Sequence, residues 1–202
     1  MSKTPVLERI PVDAVTSELS TDARRELQAM GLDISVTATA EQREGIDPVG
    51  GRPLLAKQPI KAAEILNEAD DYLPRPSSFS RGMRVELAGA TMLFLSGTAS
   101  IDEHGVTLYP GDFHAQLLRT FHNLTRLLVA EGASWHDIIR TTCYLRDIER
   151  DYDTFNDLRT LFMTGVGLDP LPASTGIQAR LCRSDLLVEI EAIAMIPENH
   201  SS

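Results

Sequence analysis

The chain has 202 residues, 43% hydrophobic and 24% charged, which suits one globular domain with an extension, or at most two small domains. Its formal net charge of −10 repels nucleic-acid phosphates, and no basic stripe with interleaved aromatics offsets it, so a nucleic-acid partner is not expected. No apolar run approaches the roughly 20 residues of a membrane span. The opening MSKTPVLERIPVDAV lacks the apolar core of a secretory signal, so a cytoplasmic protein without a membrane partner is expected.

Residues 1–75 read as an irregular extension. Ser20-Thr21-Asp22 caps a short predicted helix that runs through Met30 and stops at Gly31. Asp33 to Ala40 alternates as a strand. Gly45, Pro48, Gly50, Gly51, Pro53 and Pro59 then interrupt any long element, and Lys61 to Asp70 reads as a helix. The main domain spans 76–198. Met83–Leu87 and Met92–Ser100 are predicted strands turned by Ala88-Gly89-Ala90. Asp112 caps a long helix with Phe113, Leu117, Phe121, Leu124 and Leu128 on one face and a stop at Gly132. Ile138 to Arg146 is a strand. Asp151 to Met163 is a second helix, with Tyr152, Phe155, Leu158 and Phe162 on one face, ended by Gly165-Val166-Gly167. Pro172 to Met195 reads as two strands joined tightly at Arg183-Ser184-Asp185. The expected fold is α+β, a mixed four- to six-stranded sheet with both helices on one face. Another copy of the chain is the simplest cover for the other face.

The last strand is the most informative. Leu186, Val188, Ile190, Ala192, Ala194 and Ile196 share a wholly apolar face. The other face holds Leu187, Glu189, Glu191, Ile193 and Met195, which sets two carboxylates among apolar neighbours. Such carboxylates are candidates for a raised pKa and for proton transfer; an edge strand using charge against aggregation is the plainer reading. Cys143 and Cys182 fall in predicted strands and are expected to be buried thiols. Histidines 104, 114, 122, 136 and 200 have no zinc spacing, and His114 and His122 read as helix-surface residues. No phosphate-binding glycine loop, nucleophile elbow or HExxH motif occurs, so no metal or cofactor is expected.

Five segments together carry a resemblance: LFLSGTASID (93–102), GDFHAQLLRTFHNLTRLLVAEGAS (111–134), TTCYLRD (141–147), DYDTFN (151–156) and LLVEIEAIA (186–194). They resemble the Rid family, also called YjgF or endoribonuclease L-PSP, over about residues 77–197. The resemblance implies a chorismate-mutase-like fold and a homotrimer with clefts between subunits that bind a small-molecule metabolite, whether or not it carries a carboxylate. It matches Phe79, Ser96, Gly97 and Asn156 to cleft positions and Glu189 to the acid that holds or activates a water in family deaminases. It also implies an arginine on the strand before, where this chain has Ser174. Arg81 is the replacement cation this reading favours, and Thr98 with the Thr175-Gly176 backbone would offer hydrogen bonds to substrate. CRSDLLVEIE, SGTAS and YLRD further resemble chorismatases, which implies Cys182 in the site and Glu189 as a general acid toward an enol ether. Two functions follow. One is a small-molecule enzyme that hydrolyses or deaminates an imine or enamine, or protonates an enol ether; because Ser174 stands where the resemblance implies the arginine that binds a substrate carboxylate, activity on the imines of simple amino acids is expected to be weak or absent. The other is a trimeric ligand-binding protein without catalysis.

Overall fold

The structure, a computed structural model, describes residues 55–67 and 79–197, and Thr21 by itself before them. The expected helix ending at Met30 and strand at Asp33–Ala40 lie outside the described residues. The described residues 55–67 and 79–197 belong to one compact unit.

The elements of this unit follow in chain order. They are β1 (Lys57–Pro59), β2 (Gly82–Leu87), β3 (Ala90–Ala99), α1 (Phe113–Ala130), a 3-10 turn (Trp135–Asp137), β4 (Ile138–Leu145), α2 (Ile148–Gly165), β5 (Ala173–Gln178) and β6 (Val188–Pro197). They build a six-stranded sheet in the order β1-β2-β3-β6-β4-β5. All neighbours are antiparallel except β4 and β5.

Local chemistry explains most boundaries. β2 and β3 form a hairpin in which Gly89 takes φ +84°, a conformation that costs glycine little. The Asp112 side chain accepts a hydrogen bond from the Ala115 amide at 3.0 Å and starts α1. Gly132, at φ +73°, ends it, and the Ala133 amide turns back to the Leu128 carbonyl at 2.8 Å. Phe113, Leu117, Phe121, Leu124 and Leu128 are all buried, as their spacing predicts. They pack with Leu93 and Leu95 of β3 and the apolar face of β6, where Val188, Ile190, Ala192 and Ala194 are at most 2% exposed. Each buried leucine, isoleucine, valine or phenylalanine among them contributes about 1.5–3 kcal/mol. His114 and His122 are exposed.

The structure corrects four expectations. The described part of Lys61–Asp70 is a run of turns, not a helix. α2 starts one turn earlier than predicted, because Asp147 rather than Asp151 caps it, accepting from the Arg150 amide at 3.1 Å. Asp151 is instead buried, paired with Arg150 at 2.6 Å. Of the apolar face assigned to α2, Tyr152 is exposed while Phe155 is fully buried. Finally, Pro172–Met195 is not a hairpin. β4 lies between β5 and β6 in the sheet, and the connection over 179–187 is irregular. Gln116 of α1 holds that connection, donating to the carbonyls of Tyr109 (3.1 Å) and Asp185 (2.8 Å) and accepting from the Leu187 amide (2.8 Å).

Both helices cover one face of the sheet. The opposite face carries Met92, Phe94, Ile193, Met195, Tyr144 and Ile177 around Glu189 and Glu191, by the strand register. Phe94, Met195 and Ile177 are 40%, 38% and 42% exposed, a large apolar area for a sheet face.

Candidate functional site

The residues singled out from the sequence fall into two groups. The first surrounds Glu189. The β3–β6 register runs Leu95↔Ala192 and then Thr98↔Ile190, so β3 carries one extra residue at Ser96-Gly97. This bulge makes room for the acid. A Cβ on Gly97 would lie 1.9 Å from Glu189 Oε1, so the carboxylate occupies the space a side chain would take. Gly97 is needed for close approach, not for an unusual φ. Burial raises the Glu189 pKa above the ordinary carboxylate range; the Arg81 charge pulls it back in part, and Glu191 pushes it up again.

Ser96 ties this bulge to the segment before β2. Its hydroxyl donates to the Ser80 carbonyl at 2.7 Å, and its amide donates to the Arg81 carbonyl at 3.1 Å. Arg81 precedes β2 and is only 4% exposed, so it is not the strand or surface residue its sequence position suggests. It donates from Nε to the Asn67 carbonyl (2.7 Å) and from Nη2 to Asn67 Oδ1 (2.9 Å), and its guanidinium stacks 5.1 Å from the Phe79 ring centre. Phe79 itself is half-exposed. Thr98 is buried and donates its hydroxyl to the Ser96 carbonyl at 3.0 Å, so its side chain shapes the bulge. Across β6, Tyr144 faces the two acids; burial raises its pKa, and Glu191 and then Glu189 raise it further. A shallow pocket on the open face is lined by Phe94, Ser96, Glu191 and Ile193.

The second group surrounds Ser174. It lies on β5 opposite Thr141, and its hydroxyl is 3.1 Å from Thr141 Oγ1 and 3.9 Å from Cys143 Sγ. That places Ser174 on the helix side of the sheet, beside α2. Burial pushes the Cys143 thiol up. Asn156 lies in the middle of α2. Arg159, one turn on, donates from Nη2 to Asn156 Oδ1 at 2.6 Å and from Nη1 to Ser174 Oγ at 3.0 Å. Its guanidinium lies 4.8 Å from the Phe155 ring centre. Thr175 and Gly176 are exposed on the same strand, and the Thr175 hydroxyl accepts from Arg140 at 3.2 Å on the other face.

The two groups do not meet within one chain. β4 separates β6 from β5, a lateral distance of roughly 10 Å at ordinary strand spacing. Glu189 also faces away from the helices, whereas Ser174 and Arg159 face toward them. Cys182 joins neither group. It lies exposed in the 179–187 connection rather than buried in a strand, and no hydrogen bond among the described residues links it to Glu189. No group of His, Cys, Asp and Glu among the described residues could hold a metal ion, and no described helix is long and apolar enough to cross a membrane.

Sequence reasoning missed Arg159 and Gln116. Both sit in helices where a polar residue is unremarkable. For Gln116 the signal was available: it lies next to Leu117 on the face that turns toward the sheet, where a solvated residue does not belong.

A mixed sheet with both helices on one face, and an acid on the other seated in a glycine bulge, defines an α+β protein of the Rid type. The family model for endoribonuclease L-PSP matches residues 75–196, and the chain belongs to this family, also known as Rid or YjgF. A RutC family protein of Pyrococcus abyssi is 27% identical over 122 residues, which is 60% of this chain and 89% of the relative. The 2-iminobutanoate/2-iminopropanoate deaminase of Mus musculus is 29% identical over 103 residues, 51% of this chain and 73% of the enzyme. Among solved structures, Escherichia coli TdcF with bound serine is 26% identical with a TM-score of 0.55, covering 68% of this chain and 97% of TdcF.

Proposed function

We propose that the chain is a small-molecule hydrolase that converts an imine to a carbonyl compound and ammonia, with Glu189 as the acid–base residue. The observation that carries this reading is the seat of Glu189. A carboxyl group lodged in the gap at Gly97, with its pKa raised by burial, is better placed to accept and return a proton than an ordinary exposed glutamate. The relationship to a 2-imino acid deaminase supports the same chemistry.

In the first half of the reaction, Glu189 takes a proton from water as the water oxygen bonds to the imine carbon. The C=N electron pair moves to nitrogen, which receives that proton, giving a carbinolamine. In the second half, Glu189 takes the hydroxyl proton and delivers it to nitrogen. The C–N bond breaks, ammonia leaves and the carbonyl forms. One proton is relayed in each half, and the glutamate ends as it began.

The two residue groups complete a site only if they come from different copies of the chain. The exposed Phe94, Met195 and Ile177 give the open sheet face a reason to associate, and we take the assembly to be a homotrimer. Light scattering should return three times the chain mass. With 2-iminobutanoate generated in place by an amino-acid oxidase, the protein should speed loss of the imine above its uncatalysed hydrolysis, and that increment should vanish with Glu189→Gln while the oligomer persists. Full turnover by Glu189→Gln would overturn the assignment.

A further inference from the structure

Arg81 is a buried cation, and a residue that holds it lies outside the strands. Asn67, 4% exposed, belongs to the connection between β1 and β2. It accepts from Arg81 twice, at its backbone carbonyl from Nε (2.7 Å) and at Oδ1 from Nη2 (2.9 Å). Two acceptors on one residue fix the plane of a guanidinium as well as its distance. The Phe79 ring, 5.1 Å away, supports one side of it. Asn67 is itself anchored. Ile60, Ile65 and Leu66 of the same connection are buried in the core with Leu93 and Ile101. Gly105 gives the Asn67 side chain its room, because a Cβ there would lie 2.7 Å from Asn67 Cγ. Arg183, from the connection that leads into β6, donates to the Gly105 carbonyl and ties that turn down in its place.

What Arg81 faces is the acid. Met83 pairs with Phe94 on the open face of the sheet, and strand alternation carried back two residues sets Arg81 on the same face. The Ser96 amide donates to the Arg81 carbonyl, and the next residue, Gly97, leaves the gap that seats the Glu189 carboxylate. The groups whose charge acts on Glu189 are Arg81, from the segment before β2, and Glu191, from β6; Tyr144 faces both acids from β4. We propose that Asn67 is a positioning residue: it fixes the Arg81 guanidinium as the cation that faces Glu189, so a residue of the β1–β2 connection governs the acid on β6. Arg81 favours the carboxylate, the form that takes a proton from water in the first half of the reaction. A loosened Arg81 leaves burial and Glu191 unopposed, and both push the Glu189 pKa up. The consequence for turnover rests on the function proposed above; the hold of Asn67 on Arg81 does not.

Carboxyl carbon NMR of the full chain with isotope-labelled glutamate reads Glu189 without any substrate, its signal being the one lost in Glu189→Gln. The titration midpoint should move to higher pH in Arg81→Gln. Asn67→Ala should move it the same way by less, since the backbone acceptor remains. Asn67→Asp keeps the shape but sets a carboxylate on the guanidinium, which cancels the charge Glu189 feels, so it too should move the midpoint up. Arg81→Lys, a charge without the fork, should recover part of the Arg81→Gln shift. Arg84→Gln, which removes a β2 arginine paired with Glu131, should leave the midpoint in place. In the Asn67 variants the acid limb of the turnover profile should follow the midpoint, with plateau turnover changed less than about twofold. A midpoint unmoved or lowered in Arg81→Gln, unmoved in both Asn67 variants, or moved as far by Arg84→Gln would each overturn the proposal. If the midpoints move as expected while Glu189→Gln still hydrolyses imine at the full rate, the positioning role of Asn67 stands and the assignment of Glu189 as the acid–base residue fails.

Discussion

The surroundings of Glu189 and of Arg159 are built on opposite principles, although both lie on one sheet. Glu189 is an acid in a gap left by Gly97, and burial works against its charge while Arg81 partly compensates. Arg159 is a cation spread over the Phe155 ring and fixed by two neutral oxygens, with no acidic side chain among the described residues paired to it. One arrangement favours exchanging a proton. The other favours holding an anion without exchanging anything. A hydrolase acting on a charged imine needs both; the sheet places them on different faces, and in the proposed homotrimer a second copy of the chain would bring them together.

The comparison can be broken most severely at the acid. Glu189→Gln should lower turnover by about 10²–10⁴-fold, the usual worth of a positioned acid–base group, with affinity for 2-oxobutanoate, the oxygen analogue of the imino acid, little changed. A matching loss of affinity would show that Glu189 binds substrate rather than moving protons. Next in size is Gln116→Ala, which strips the partners from the Asp185 carbonyl and the Leu187 amide where the chain enters β6. Urea unfolding should report a loss of about 1–3 kcal/mol. Turnover should fall further than acid affinity, because Gln116 anchors the strand of Glu189 and not that of Ser174.

Gly97→Ala sharpens the comparison with less disruption. The added methyl must displace the Glu189 carboxylate, so turnover should fall about tenfold, roughly 1.4 kcal/mol, with the melting temperature nearly unchanged. Retained turnover would show that the seat does not matter. The smallest effect is a pH dependence of stability. The folded-state pKa of Glu189 is raised, so the folded protein binds this proton more tightly than the unfolded chain. The stabilisation that protonated Glu189 contributes is complete below the ordinary glutamate pKa and is lost as pH rises through the raised value. The melting temperature of Glu189→Gln minus that of the unaltered protein should therefore grow more positive as pH rises through that window. A difference that stays flat would mean that burial does not disfavour the charged acid.

The elements set by local chemistry were legible in the sequence. Alternation exposed the two faces of β6, and turn and cap residues placed the β2–β3 hairpin and both ends of α1. Strand pairing was less legible. β5 and β6 follow each other closely and look like a hairpin, but no local pattern records that β4 takes the place between them. The start of α2 was read one turn late because Asp147 and Asp151 are equally good caps by type, and only the burial of Asp151 against Arg150 separates them. Glu189 could be found because a carboxylate among apolar neighbours is unusual in a strand. Arg159 could not, because an arginine in an amphipathic helix is ordinary until its partners are seen. Cys182 was misplaced for a related reason: the strand pattern of its neighbours stops at Gln178, and the 179–187 connection has no periodicity to show where it turns outward.

Mixing subunits tests the central claim, a site shared between chains, most directly. Glu189→Gln and Arg159→Gln subunits, each inactive alone on 2-iminobutanoate, would be co-expressed with different tags and the mixed oligomers purified. In a shared site, some interfaces of the mixed assembly pair an intact Glu189 with an intact Arg159, and turnover should return to a substantial fraction of the unaltered protein's. Mixed oligomers no more active than the two variants measured separately would contradict the account and place the whole site within one chain.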